Sequence, residues 1–318
     1  MELKKIYSEN NNSLIAFAES RIGGRSENQD SYGWQETPHG YLVTVCDGMG
    51  GGPGGKTASS IAVNEIIDGI NEANNEEDIP NIIIKAIRRA NMAILEAANE
   101  TPSLKGMGST ATVLLINDNS AFIAHVGDSR IYQFRGHKKV YRTFDHSLVF
   151  EMVAQGVITE EQARLSASSN IIQRALGIKF DIEVDITEVP YEKGDRFMLC
   201  TDGISGALPE QDIISMATSR KVKLPIVVDD LATTIDDIGR KAGCGHDNLT
   251  LAIIETKTNS KLKVKMSKKT KILAAIIIAM LLISLSLNIL QLLQNKNCNK
   301  ESTTKVQTEK VINQNTQQ

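Results

Sequence analysis

The chain has 318 residues, a formal net charge of −3 and 41% hydrophobic residues, enough for one large domain or two modest ones with an ample core. Basic residues are not concentrated in the first 260 positions, so nucleic acid is excluded as the expected partner. Cys46, Cys200, Cys244 and Cys298 are scattered without CxxC spacing, which excludes a disulfide framework and a zinc cluster and favours a reducing compartment.

The N-terminus, MELKKIYSENNNS, lacks the apolar run of a cleaved signal peptide. Residues 14–18 read as a short strand that runs into Ser20-Arg-Ile-Gly-Gly-Arg25-Ser-Glu-Asn-Gln-Asp30. The paired glycines predict a turn and leave Arg25 and Asp30 on a loop. Residues 41–46 are apolar and partly β-branched, a buried strand rather than a helix. That strand ends on Asp47, and a glycine-dense loop follows over 48–55. An acidic residue beside such a loop suits a cation or phosphate site. Asp-Gly after a strand is also the commonest hairpin signal, so a plain turn competes with that reading.

A helix is expected over 57–71, with Ala58, Ala62, Val63, Ile66, Ile67 and Ile70 at helical spacing. A second should start near Asp78 with Pro80 in its first turn, and Ile79, Ile83, Ile87, Ala90, Ile94 and Ala97 give it one apolar face. Both stripes read as core packing. From Gly108 the pattern changes to short strands over 111–116, 121–126 and 131–134, an antiparallel meander, with Asp128 just past a strand end. The stretch from Ser147 to Leu176 reads as helical, broken at Gly156 and at Ser166-Ala-Ser-Ser169. A strand over 196–200 ends in Thr201-Asp202-Gly203, and His246-Asp247-Asn248 leads into a last strand over 249–255.

The C-terminal region differs in kind. A polar, lysine-rich linker over 258–271 precedes 272–293, which carries no charge and is interrupted only by Ser284, Ser286, Asn288 and Gln291. As a helix it is long enough to cross a hydrocarbon core of roughly 30 Å, so one transmembrane helix is expected. A buried core helix is the alternative, but such helices are seldom apolar on every face. Lys261, Lys263, Lys265, Lys268, Lys269 and Lys271 precede the span and only Lys296 and Lys300 closely follow it. The positive-inside rule then puts the preceding domain in the cytoplasm, at the cell membrane, and the polar tail 294–318 outside as a disordered segment.

Asp47, Asp128, Asp202 and Asp247 each stand at the end or start of an apolar strand. Strands of one sheet lie about 4.8 Å apart, so matching strand ends can converge on one site. Carboxylates that close raise one another's pKa and call for cations. The ligand set is all oxygen and the histidines lack zinc spacing, which favours Mg²⁺ or Mn²⁺. Two such ions beside an arginine suit hydrolysis of a phosphoester by a metal-activated water.

Seven motifs then occur in order: Arg25…Asn28-Gln29-Asp30, Val45-Cys-Asp-Gly-Met-Gly-Gly51, Gly108-Ser-Thr110, Val126-Gly-Asp-Ser-Arg130, Asp145-His-Ser147, Cys200-Thr-Asp-Gly203 and Asp247-Asn-Leu-Thr250. Over about residues 14–256 the chain resembles the metal-dependent Ser/Thr protein phosphatases of type 2C, in their bacterial branch. The resemblance implies an α+β fold, a four-layer α/β/β/α sandwich over 1–257, with the transmembrane helix appended. It also implies a centre of two Mn²⁺ or Mg²⁺ ions, with a third near Asp128. In it Asp47 would bridge two ions, the Gly48 carbonyl would ligate one, and Asp202 and Asp247 would complete the other shell. Asp30 would act through bound water and Arg25 would grip the substrate phosphate. The Ser147 to Leu176 stretch resembles the flap beside the site that contacts substrate. The implied partners are phosphorylated proteins, a Ser/Thr kinase and its substrates.

The pattern departs from the family in places. Gln29 stands where some relatives carry Glu, Met49 where eukaryotic members carry a His proposed as general acid, and the serine-rich flap looks atypical. Two rivals remain. Gly50-Gly-Gly-Pro-Gly-Gly55-Lys56-Thr57 satisfies a P-loop pattern and would make the chain a nucleotide hydrolase. A membrane-tethered pseudophosphatase would bind phosphoproteins without turnover.

Overall fold

The runs Ala111–Ile116, Ala121–Val126 and Arg196–Cys200 are buried at every position, as short apolar strands covered on both faces must be. The computed structural model describes residues 3–8, 11–50, 54–169, 171–243 and 245–262, with positions 280 and 284. The chain divides into two units, Met1–Lys263 and Val264–Gln318. The expected span 272–293 and tail 294–318 lie, but for positions 280 and 284, outside the described residues. Among the described residues no helix is long and apolar enough to cross a membrane.

In chain order the first unit begins with β1 (Lys4–Lys5), β2 (Leu14–Arg21), β3 (Ser31–Thr37), β4 (Gly40–Cys46), β5 (Gly48–Met49), α1 (Gly54–Asn71) and α2 (Ile79–Glu100). Then come β6 (Gly108–Ser109), β7 (Ala111–Ile116), β8 (Ala121–Val126), β9 (Arg130–Arg135), β10 (Lys138–Arg142), α3 (Leu148–Ala154) and α4 (Glu160–Arg164). It ends with β11 (Asp185–Val189), β12 (Arg196–Cys200), α5 (Asp202–Ser205), α6 (Glu210–Ala217), α7 (Leu224–Ala242) and β13 (Leu249–Thr256).

One sheet has the order β1-β2-β13-β12-β9-β10, a second β11-β8-β7-β4-β3, and β5 pairs with β6 alone. Ala16, Val43, Leu114, Ile123, Ile131, Phe197, Leu199 and Ile254 meet between the two large sheets. Behind the second sheet, Ile66, Ile83, Ile87 and Ile94 of α1 and α2 cover Leu42, Val113 and Phe122. Behind the first, Val228, Leu231 and Ile235 of α7 cover Tyr132, Met198 and Leu251. The layers are therefore α/β/β/α, as expected. Cys46 and Cys200 are buried thiols without a disulfide.

The expected meander is corrected. β7 and β8 pair antiparallel, but β9 lies in the other sheet, against β12. Gly127, at φ 105°, turns the chain between them, and a Cβ there would stand 2.7 Å from Thr110 Cγ2. The polar stretch 258–262 returns to the domain: Ser260 N–H donates to Tyr191 O (2.9 Å) and Lys261 N–H to Asp118 O (2.9 Å).

Phe197 is fully buried between the sheets. Its replacement in Phe197→Ala should cost about 3–5 kcal/mol, read as a lower denaturant midpoint at unchanged slope. A midpoint within error of the wild type would show that the inter-sheet layer is not the principal core.

Candidate active site

Asp47 is held by its main chain. Its N–H donates to Thr110 Oγ1 (2.8 Å), and its carbonyl accepts from Thr110 N–H (2.8 Å) and Ser109 Oγ (3.1 Å). Gly48 and Met49 then continue as β5, so Asp47-Gly48 is not a hairpin turn. A Cβ on Gly48 would stand 2.0 Å from Gly55 O, so only glycine lets the first turn of α1 close over this strand. Lys56 of that turn gives its Nζ to Asp30 O (2.8 Å) and Ser31 Oγ (3.1 Å). Every described strand pairing is antiparallel, so no βαβ unit supports the P-loop reading.

The other acidic residues are mounted the same way. Asp128 follows Gly127, and the neighbouring Ser129 Oγ shares a hydrogen bond with Thr110 Oγ1 (2.8 Å). Thr201, before Asp202, donates its hydroxyl to Asp30 Oδ2 (3.0 Å). Asn248, after Asp247, accepts from Gln29 N–H (2.9 Å) and donates through Nδ2 to Ile22 O (2.8 Å) and Glu27 O (2.9 Å). That one side chain ties the loop carrying Arg25 and Asp30 to the start of β13.

Arg25, Asp47, Gly48, Asp128, Asp202 and Asp247 line one open groove of about 410 Å³. Asp30 is buried behind it, close enough for its charge to be felt by Asp47. Burial, then the Asp202 and Asp247 charges, push Asp30 up to about 7, and burial and Asp247 push Asp202 up to about 6. Asp47 lies well above the carboxylate range through burial and then Asp202, Asp30, Asp128 and Asp247. Burial and Asp202 raise Asp128 likewise. Burial is the largest cause of each shift, and a neighbouring carboxylate charge adds to each. The structure thus gathers all seven predicted site residues, Arg25 included: its Nη2 donates to Asp247 Oδ2 (2.8 Å).

The donor set fits a hard divalent cation. Asp128 Oδ1 and Asp202 Oδ1 are buried oxygens without a hydrogen-bond partner, which a protein tolerates only where another group completes them. With this geometry in view, the similarity to known proteins becomes decisive. The profile of a family described as Protein phosphatase 2C matches residues 19–234. The chain belongs to the protein phosphatase 2C family.

Its relatives agree. The serine/threonine phosphatase stp of Listeria monocytogenes is 33% identical over 241 residues, covering 74% of this chain and 93% of that protein. A serine/threonine phosphatase of S. agalactiae superposes with a TM-score of 0.67 at 32% identity, over 76% of this chain and 99% of that one. The catalytic domain of PstP, solved with two manganese ions, superposes with a TM-score of 0.63 at 28% identity, over 77% of this chain and 98% of that one. This phosphatase is accordingly a protein-serine/threonine phosphatase.

The stretch expected to form the flap, 147–176, holds α3 and α4 around a small core of Val149, Phe150 and Ala163. Its roots are fixed by bridges from Ser109 to Leu176 and from Ser147 to Ile172, and Ile172 lines the groove. Two supports escaped the sequence reading. Arg130 makes a buried two-pronged pair with Asp145 (Nε–Oδ1 2.8 Å, Nη2–Oδ2 2.7 Å) and lies 4.8 Å from the Phe150 ring centre. His125 and His146 stack with ring centres 4.4 Å apart beside Asp185. Gly127 N–H donates to His146 Nδ1 (3.1 Å), which leaves the ring proton on Nε2, 3.2 Å from Asp185 Oδ2 and 3.5 Å from Arg174 Nη1. With a proton on that nitrogen and a guanidinium beside it, these three residues clamp the flap root rather than hold a cation. The signal available was the Asp145-His-Ser147 motif, which marks the place but not the partners.

The raised carboxylates carry a sign. A group whose folded pKa lies above its unfolded value opposes folding as pH rises through that range. His125, lowered to about 4, and His146, also lowered by burial, act oppositely below pH 6.5, so the carboxylate effect is read by substitution. In chelator-treated protein at pH 8, Asp47→Asn should raise Tm by about 2–4 °C, the shift that about 1 kcal/mol produces in a domain of this size. The gain should shrink toward pH 5. A destabilised Asp47→Asn at pH 8 would contradict the crowding of charge.

Proposed function

We propose that the groove carboxylates hold the divalent ions of a phosphoserine/phosphothreonine protein phosphatase, with Arg25 as its phosphate grip. The convergence of Asp30, Asp47, Asp128, Asp202 and Asp247, with Asp47 raised by burial and by the charges of the other four, carries the reading. Asp47 would bridge two Mn²⁺ or Mg²⁺ ions, Gly48 O would join one shell, and Asp202 and Asp247 the other. Asp128 would serve a third ion, and Asp30 would act through water. When bound, the ions supply positive charge at the phosphoryl group and lower the pKa of the attacking water. Water oxygen bonds to phosphorus, the P–O bond to the serine or threonine breaks, and the leaving alkoxide takes a proton.

The chain's own residues bind and orient. Arg25 engages Asp247 through Nη2 and has its remaining N–H groups for two phosphoryl oxygens. Met49 lines the groove where an acid could stand, and no histidine is among the described residues that line it, so the leaving group's proton would come from water. In the full chain, Mn²⁺ should release phosphate from a phosphothreonine peptide. Asp47→Asn should lower that release by 10²-fold or more, whereas Lys56→Ala should largely spare it. Peptide binding without metal-dependent release would make the chain a pseudophosphatase. ATP hydrolysis lost in Lys56→Ala would restore the P-loop reading.

The charge-free stretch 272–293 with its lysine-rich approach supports a membrane tether, the phosphatase domain on the cytoplasmic side. Held there, the enzyme would oppose a Ser/Thr kinase at the membrane and act on that kinase and its phosphorylated substrates. After cell lysis the full-length protein should sediment with membranes and resist extraction by high salt. Recovery in the soluble fraction would remove the tether and the membrane role with it.

A further inference from the structure

The loop that delivers Asp247 is anchored by a residue outside the groove. Asp236 is buried on α7, and its Oδ1 lies 2.8 Å from His246 Nε2. Its other oxygen takes an ion pair from Arg240 and lies 3.6 Å from Arg21 Nη1. Arg21 itself is pinned to the same helix by Asp229 (3.0 Å) and Thr233 (2.9 Å). Asp236 is therefore the fixed end of this contact and His246 the end that follows it.

The helix is shaped to receive the imidazole. Gly239 stands three residues after Asp236, and a Cβ there would come within 2.2 Å of His246 Cγ. Any side chain at 239 would lift the ring off the helix. On the opposite side, Gly24 N–H donates to His246 O (2.9 Å), and a Cβ on Gly23 would stand 2.0 Å from Asp247 O. His246 is thus gripped between α7 and the 23–24 turn. Asp247 follows it directly, and Asn248 is bonded on the other flank.

We infer that Asp236 is a positioning residue for the metal centre: through His246 it sets the place of the Asp247 carboxylate and hence the affinity of the ion Asp247 binds. Partners of this kind behind a ligand typically govern metal affinity by about 10–100-fold. The inference rests on the assignment of Asp247 as a ligand. Sequence pattern alone does not give it, because Asp236 and His246 belong to no motif and meet only through the α7–β13 connection.

The test measures Mn²⁺ binding to the full-length protein at pH 7.5 by calorimetry and by the spin-resonance signal of free Mn²⁺, with Tm alongside. Asp236→Ala and His246→Ala should each weaken one class of Mn²⁺ site by about 10–100-fold and leave the other class intact. At saturating Mn²⁺, phosphate release should recover to within about threefold of wild type, since the lesion lies in affinity rather than in the chemical step. Asp236→Asn keeps an acceptor for His246 Nε2–H and should restore most of the affinity. Arg240→Ala removes the exposed partner of Asp236 and should leave Mn²⁺ binding unchanged. Should Asp236→Ala not fold, His246→Ala puts the same question from the solvent side. Unchanged Mn²⁺ affinity in a folded His246→Ala, or equal weakening by Arg240→Ala, would overturn the inference. Asp247→Asn separates the two levels: if it too leaves Mn²⁺ binding whole, the ligand assignment itself falls.

Discussion

Mutual repulsion among the carboxylates at one edge of the two sheets is the constraint that the rest of the domain answers. Burial and neighbouring charge push Asp30, Asp47, Asp128 and Asp202 away from the ionised state that a cation needs. The fold holds them together by gripping their main chains and neighbours. Thr110 fixes the backbone of Asp47, Ser129 fixes the segment of Asp128, and Asn248 fixes the segment of Asp247. Asp30 spends a carboxylate oxygen on a bond to Thr201, and Asp247 accepts from Asn248 N–H and from Arg25. Asp128 and Asp202 keep a buried oxygen without a protein partner. A site that bonded every carboxylate oxygen internally would be more stable and would bind metal less well.

Strand register explains why these residues meet at all. β4 and β3 pair with Cys46 opposite Ser31, so Asp47 and Asp30 leave the sheet at the same edge. β7 and β8 pair with Ala111 opposite Val126, which brings Thr110 and Gly127 to that edge as well. In the other sheet Cys200 pairs with both Leu251 and Arg130, placing Asp202, Asp247 and Asp128 there. Asp128 lies on the crossing from one sheet to the other. Its position depends on the stacking of both, and so on the apolar layer between them.

This division separates what was legible in the sequence from what was not. An aspartate closing an apolar run is visible in the chain itself, because local pattern fixes both the strand and its end. The seven motifs therefore pointed to residues that the structure brings together, and the α/β/β/α layering followed from the resemblance they carried. The β8–β9 crossing was misread as a meander because a glycine in a turn looks the same whether the next strand joins its neighbour or the opposite sheet. Arg130 with Asp145, and Asp236 with His246, were invisible for another reason. Such pairs are set by tertiary distance, and no spacing rule distinguishes them from solvated charges.

The flap is built on a different physical basis from the frame. The carboxylates hang from strands whose faces are covered by large, continuous apolar layers. The flap stretch has only the small cluster of Val149, Phe150 and Ala163 for a core and is secured instead by polar latches: Arg130 with Asp145, His146 with Gly127, and Arg142 with Glu160 (2.6 Å). It turns Val157, Leu165 and Ile171 to solvent. A change in those exposed side chains leaves undisturbed the apolar layers from which the carboxylates hang. The carboxylate cluster is thus fixed by the frame, while the stretch 147–176 presents exposed apolar side chains that can vary independently of it.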